Sequence, residues 1–217
     1  MITMSIRTIS AGLVVAMLSG GAASAATIVQ NGSFEDVAGL AGGGTNRGGY
    51  GVYDAIPGWT RGDGAGIELQ NNATLGTHDA QDGNWYVELD SDSNSSMYQD
   101  ITFASAGSYL LSFFYSPRTA TQNDNGIGYS LGDKVDGLID AVYQSPATWT
   151  QVTKSFTVDA GEVLRLSFFA GGLSNSLGGF VDNVSIAPVP LPGSLLLLGG
   201  ALAGSGAFAS RRRKKAA

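Results

Sequence analysis

Cysteine is absent from all 217 residues, and histidine occurs once, as His78. Without cysteine there is no disulfide, no thiolate metal ligand and no thiol nucleophile, so stability rests on the core, helped at most by a bound metal. A single histidine excludes a multi-histidine metal centre, and any Ser-His-Asp arrangement would have to use His78. That residue sits in "THDAQDG", a polar turn by composition, and no G-x-S-x-G elbow occurs in the chain. Glycosidase chemistry needs two carboxylates at a defined separation, and nothing in the order of the eighteen acidic residues singles out a pair. The sequence nominates no catalytic residue.

Positive charge is scarce in the body of the chain. Every acidic residue lies between Glu35 and Asp182, together with only six basic ones: Arg47, Arg61, Arg118, Lys134, Lys154 and Arg165. Six against eighteen is a formal charge of −12 for that stretch, twice the −6 of the whole chain. Such a surface repels nucleic acid and anionic lipid, and suits neutral sugars or divalent cations.

Long apolar runs are confined to the two ends. Residues 1–25 join Arg7 to "ISAGLVVAMLSGGA" and to Ala23-Ser24-Ala25, the layout of a secretory signal peptide cleaved after Ala25, with a buried first helix as the alternative. Gly193 to Ser210 is uncharged for 18 residues, roughly 27 Å as a helix, just short of a hydrocarbon core. Arg211, Arg212, Arg213, Lys214 and Lys215 follow, which sets the tail inside and the preceding domain outside. Val189-Pro190-Leu191-Pro192-Gly193, the weak span of 193–210 and the basic tail of 211–215 together resemble the PEP-CTERM sorting signal of Gram-negative bacteria. The form is VPLPA-like, with Leu191 where the commonest signal has Glu and Gly193 where the variant has Ala. The resemblance, over 188–217, implies recognition by an exosortase-type enzyme, removal of the membrane segment and delivery to the cell surface or the extracellular matrix. An ordinary single-span anchor is the alternative.

Residues 26–187 show no helical periodicity. Short runs rich in Val, Ile, Thr, Phe and Tyr, such as "NWYVELD", "SYLLSFFYS", "TQVTKSFTV", "VLRLSFFAG" and "GFVDNVSI", alternate with Gly, Asn, Asp and Ser. The pattern predicts an all-β sandwich. Val37 to Gly66, containing "GLAGGGTNRGGYG", is expected to be a mobile loop. "LSFFY" and "LSFFA" are expected on two facing strands. Gly126-x-Gly128-x-x-x-Gly132 has no helix after it to bind phosphate and reads as turn chemistry. Asp90-x-Asp92-x-Asn94 starts like an EF-hand loop but continues with Ser95 and Ile101 where Gly and Glu are needed. It reads as a solvated turn, with a looser surface calcium site as the alternative.

Alternation assigns the faces. Trp85, Val87 and Leu89 share one side, Tyr86 and Glu88 the other. Tyr109, Leu111, Phe113 and Tyr115 form a second apolar row, and Leu164, Leu166 and Phe168 a third. This parity turns Phe114 and Phe169 outward, as a sugar-stacking pair or under a covering loop. In "FVDNVSI", Asp182 shares parity with Phe180, Val184 and Ile186, which predicts a buried carboxylate. Such a group must be paired, cation-bound or satisfied by backbone donors. If the first and last strands adjoin, Glu35 meets Asp182, and an oxygen-bound Ca²⁺ would relieve their repulsion.

"NGSFE", "IPGW" and "DNVSI", with "GNWYVELD" and "WTQVTKSFTV" between them, resemble galactose-binding-like jelly rolls, including carbohydrate-binding modules and DUF642-type cell-wall domains. The resemblance implies a jelly-roll β-sandwich and a structural calcium held by Glu35 and Asp182. The expected function is non-catalytic binding of a polysaccharide, with Trp59, Tyr86, Tyr115, Arg118 and Phe169 as ligand-contacting candidates, and Trp85 as a core residue by parity. The alternatives are a self-associating structural surface protein and a glycan-active hydrolase.

Overall fold

The computed structural model describes residues 26–143 and 147–190. The expected signal peptide, Leu191, Pro192, Gly193, the expected membrane segment and the tail with Arg211, Arg212 and Arg213 lie outside the described residues. Among the described residues, helical structure is limited to one 3₁₀ turn, Ala41–Gly44, and no helix is long and apolar enough to cross a membrane.

Twelve strands, numbered in chain order, form two six-stranded sheets in which every pairing is antiparallel. The first sheet runs β1 (Tyr50–Tyr53), β4 (Ile67–Asn71), β5 (Trp85–Glu88), β12 (Phe180–Pro188), β7 (Gly107–Ser116) and β10 (Thr150–Val158). The second runs β2 (Ala55–Ile56), β3 (Trp59–Arg61), β6 (Ser96–Thr102), β11 (Val163–Ala170), β8 (Ile127–Leu131) and β9 (Val135–Ile139). The architecture is a jelly-roll β-sandwich.

Inward rows of alternate residues build the core. Leu111, Phe113 and Tyr115 of β7 meet Leu166 and Phe168 of β11, all at most 1% exposed. Phe113 and Phe168 pack edge to face with centroids 5.0 Å apart, so the two "LSFF" strands do face each other. Burying each of these side chains contributes about 1.5–3 kcal/mol.

Residues 37–66 are not all loop. They contain β1, β2 and β3, because Tyr53, Ile56 and Trp59 supply buried anchors at strand spacing between the glycines. Trp59 is 2% exposed. It packs between Phe34 and Phe168, tilted against each with centroids 5.8 and 5.9 Å away, and its indole N–H donates to the Asn31 carbonyl at 3.1 Å.

The segment from Thr27 to Phe34 runs beside β12. The Ile28 amide donates to Ile186 O at 2.9 Å, and the Val184 amide to Gly32 O at 2.8 Å. Gly32 is required by close approach, since a methyl there would overlap the Val184 carbonyl oxygen. Gln99 of β6 grips the same segment, accepting from Gln30 N at 2.8 Å and donating to Gln30 O at 3.0 Å. "NGSFE" and "IPGW" are thus a structural clasp between the sheets.

Parity fails on β12. Phe180, Val181 and Asp182 face Ser116, Tyr115 and Phe114 of β7, but Ser185 faces Ser112, so β12 carries one extra residue. The bulge centres on Asn183, whose φ is +47°. It sends Val184 and Ile186 into the core, while Phe180 and Asp182 lie on the outer face with Tyr86 and Glu88. Asp182 is buried, as expected, but beneath a loop on the outside of the sheet rather than between the sheets.

Candidate functional site

Asp182 and Glu35 serve the same short loop. Asp182 Oδ2 accepts the amides of Gln81 and Asp82 at 2.7 and 2.9 Å, and Oδ1 accepts that of Asn183 at 2.6 Å. Glu35 Oε1 accepts the amides of Asn84 and Trp85, both at 2.7 Å. The two expected ligands therefore clamp residues 81–85 from either end. Burial raises the Asp182 carboxyl to about 7, against the pull of its amide donors and with repulsion from Asp82. No lysine or arginine among the described residues forms an ion pair with Glu35 or Asp182. Backbone amides occupy both Asp182 oxygens and Glu35 Oε1, while Glu35 Oε2 accepts no hydrogen bond from the described residues, so that oxygen is the one of the pair free for a hard cation.

The outer face of the first sheet carries a polar cluster. Glu68 and Glu88 sit directly opposite each other on β4 and β5. Gln70 bridges them, its Nε2 donating to Glu68 Oε1 at 2.7 Å and to Glu88 Oε2 at 2.6 Å. Arg118 donates to both Glu88 oxygens, at 2.7 Å to Oε1. Burial pushes Glu88 up to about 8, with Arg118 opposing it. Tyr86 lies beneath, fully buried, its hydroxyl donating to Gln70 Oε1 at 3.2 Å. Above the cluster a small cleft of about 200 Å³ opens between Tyr50, Glu68, Gln70 and Arg118. His78 is also on this face, and it is interior rather than in a solvated turn. It is 2% exposed, edge-on to Phe180 at 4.9 Å, hydrogen-bonded to Pro117 O at 3.1 Å, and burial lowers its pKa.

A larger groove, about 460 Å³, crosses the outer face of the second sheet. Phe169 of β11 is 41% exposed and lies over Gly128 of β8, where a methyl would meet its Cδ2 at 2.8 Å and Cε2 and Cζ closer still. Gly128 is therefore a strand residue that seats an aromatic ring, not part of a turn. Register sets hydroxyls around that ring: Ser96 of β6 is opposite Phe169, and Ser167 and Ser130 face each other one step along. Asp63 and Asn94 close the groove. Beyond it, Arg165 lies 3.8 Å over the Tyr98 ring. An exposed aromatic floor ringed by hydroxyl, amide and carboxylate groups can stack a sugar ring and hydrogen-bond its hydroxyls.

The five ligand-contacting candidates divide accordingly. Phe169 and Arg118 reach clefts, on opposite faces of the sandwich. Trp59 and Tyr115 do not reach a surface. Both fill the core at 2% and 1% exposure, and the Tyr115 hydroxyl is spent on Asn125 O at 3.0 Å. Tyr86 supports the Arg118 cleft from below. Phe114 and Phe169 form no pair, since β7 and β11 belong to different sheets. Trp85 is half-buried against the core, as parity required. No local sequence pattern marks the groove serines, because three separate strands bring them together.

Comparison with known proteins places these features. Residues 188–214 match the PEP-CTERM protein-sorting motif. A multifunctional-autoprocessing repeats-in-toxin protein of Vibrio vulnificus is 29% identical over 121 residues, 55% of this chain. The matched stretch spans only 2% of the toxin's length. Among solved structures, the arabinose-bound α-L-arabinofuranosidase MgGH51 superposes with a TM-score of 0.50 at 12% identity, over 77% of this chain and 27% of that one. The carbohydrate-binding module TmCBM61, in complex with β-1,4-galactotriose, gives 0.49 at 13% identity, over 76% of this chain and 99% of its own. The likeness to the arabinofuranosidase is one of fold. The motif match begins at Pro188, the last residue of β12, and Val189 follows it exposed. This chain therefore carries a PEP-CTERM protein-sorting motif behind a jelly-roll β-sandwich, and the motif marks it for secretion and delivery to the surface or beyond.

Proposed function

We propose that the domain is a non-catalytic polysaccharide-binding module, exported and handed by an exosortase-type enzyme to the cell surface or matrix. The observation that carries the reading is the Phe169 groove: an exposed ring seated over Gly128, with serines from three strands around it. The acidity of the domain favours neutral glycans, and the producer's own exopolysaccharide is the nearest source. The carboxylate pair Glu68–Glu88 on the outer face is tied to Gln70 and Arg118, an arrangement that suits structure better than hydrolysis. A polysaccharide array probed with the purified protein tests the proposal. Retention on at least one neutral glycan is expected, with Phe169→Ala weakening it tenfold or more, about 1.4 kcal/mol. Equal retention of both proteins would remove the groove from the reading. No retention on any polysaccharide, with ordered self-assembly instead, would favour a structural surface protein.

We also propose that Glu35 and Asp182 hold a structural Ca²⁺ beside the 81–85 loop. The support is that both carboxylates hold one short loop, have no basic partner among the described residues and leave Glu35 Oε2 idle.

A further inference from the structure

The loop from β5 to β6 contains Asp90-Ser91-Asp92-Ser93-Asn94, which by composition reads as a solvated turn. In the fold its ends are interior: Asp90 is 1% and Ser91 4% exposed. Asp90 and Asn94 face each other across an antiparallel bridge, so their side chains leave on the same side with Cβ atoms about 4.5–5.5 Å apart. Both reach the loop that follows β11. Asp90 Oδ2 accepts the amides of Asn175 and Leu177 at 2.9 and 3.3 Å, and Asn94 Nδ2 donates to Gly172 O at 2.9 Å. Three oxygens are left over. Asp90 Oδ1, Asn94 Oδ1 and Ser91 Oγ are all buried without any hydrogen-bond partner.

A second buried carboxylate adjoins them. Asp124, 3% exposed, accepts from Asn175 Nδ2 at 2.9 Å, the same residue whose amide binds Asp90. Among the described residues neither Asp90 nor Asp124 is ion-paired to a lysine or arginine. Buried negative charge with an idle oxygen is unfavourable unless a positive charge accompanies it.

We propose that this corner binds a calcium ion, with Asp90 Oδ1 and Asn94 Oδ1 among its ligands. Both are hard oxygen donors on an irregular loop, a setting that suits the flexible coordination of calcium better than the strict octahedron of magnesium. The site shares no residue with the Glu35–Asp182 pair. Its ion would fix the side chains through which the loop before β6 holds the loop after β11, at one rim of the Phe169 groove, which Asn94 lines.

The test counts calcium. Chelator-treated and calcium-reloaded full-length protein is analysed for bound calcium, with Asp90→Asn and Asp182→Asn beside it. Asp90→Asn is expected to carry one equivalent fewer than the wild type and to lose part of the calcium-dependent rise in Tm, whatever Asp182→Asn does. Equal stoichiometry in Asp90→Asn and wild type would overturn the proposal. If Asp90→Asn does not fold, wild-type crystals grown with calcium decide. Anomalous density about 2.3–2.6 Å from Asp90 Oδ1 supports the ion, and a non-anomalous peak at hydrogen-bond distance would show that a buried water occupies the corner instead.

Discussion

Replacing Gly128 by alanine separates the groove from the fold. Gly128 lies in β8 with Phe169 against it, and a methyl there would meet Phe169 Cδ2 at 2.8 Å. Carbon atoms sit comfortably at about 3.5–4.0 Å, and Cε2 and Cζ would lie closer than Cδ2, so the ring must lift or turn by well over an ångström. The obstruction is the far end of a side chain that is already 41% exposed, so the backbone need not move. Gly128 is not among the glycines with positive φ, and alanine in a strand costs less conformational entropy than glycine. Stability should therefore change by less than about 1 kcal/mol. Binding should change more. A ring stacked on a sugar makes on the order of ten to twenty close carbon contacts at about 0.1–0.2 kcal/mol each. Losing most of them costs about 1–3 kcal/mol, a rise in Kd of roughly five- to more than a hundredfold. Calorimetric titration with whichever polysaccharide retains the wild type, and a urea melt of both proteins, give the two numbers. Unchanged affinity in a folded Gly128→Ala protein would refute the stacking argument, and loss of affinity only alongside loss of fold would refute the separation.

Three other outcomes follow from the same coordinates. Gly32→Ala drives a methyl into the Val184 carbonyl and breaks the Val184–Gly32 hydrogen bond; with Phe34 partly unseated, a loss of about 2–4 kcal/mol is expected in urea denaturation, and a loss under 0.5 kcal/mol would contradict the clasp. Asp182 and Glu88 have folded-state pKa values raised by burial to about 7 and about 8, so the native state holds their protons more tightly than the unfolded chain. Their contribution is complete below about pH 4 and is lost as pH rises through 7 to 8. In chelator the urea midpoint should therefore fall between pH 5.5 and 8.5, and a flat or rising midpoint would count against uncompensated burial. At pH 8, calcium should raise Tm and chelator reverse it, with Asp182→Ala blunting the response; identical melts with and without chelator would dispose of the Glu35–Asp182 ion.

Strand faces were legible wherever pairing is regular. On β5, β7 and β11, strict alternation with large apolar residues left one reading, and Leu111, Phe113, Leu166 and Phe168 took it. On β12 the same rule failed at "DNV", because one left-handed asparagine adds a residue and reverses every later side chain. An Asp-Asn pair inside an apolar run is itself a bulge signal, and it was available in the sequence. Residue type could not divide the aromatics: Trp59 and Tyr115 are chemically as fit for sugar as Phe169, and only packing decides which is enclosed. The groove and the Asp90 corner were illegible for another reason. Each is assembled from segments dozens of residues apart, Ser96 with Ser130 and Ser167, Asp90 with Asn175, and no local pattern encodes which strands become neighbours.

The position of β12 bears on how such a protein carries load. The last described residues leave from a strand flanked on both sides, by β7 along one edge and by β5 and then the Thr27–Phe34 segment along the other. Traction applied through Pro190 would pull lengthwise on both flanking ladders at once, so their hydrogen bonds must shear together instead of unzipping in turn. A module held by this end is moored through its middle plank.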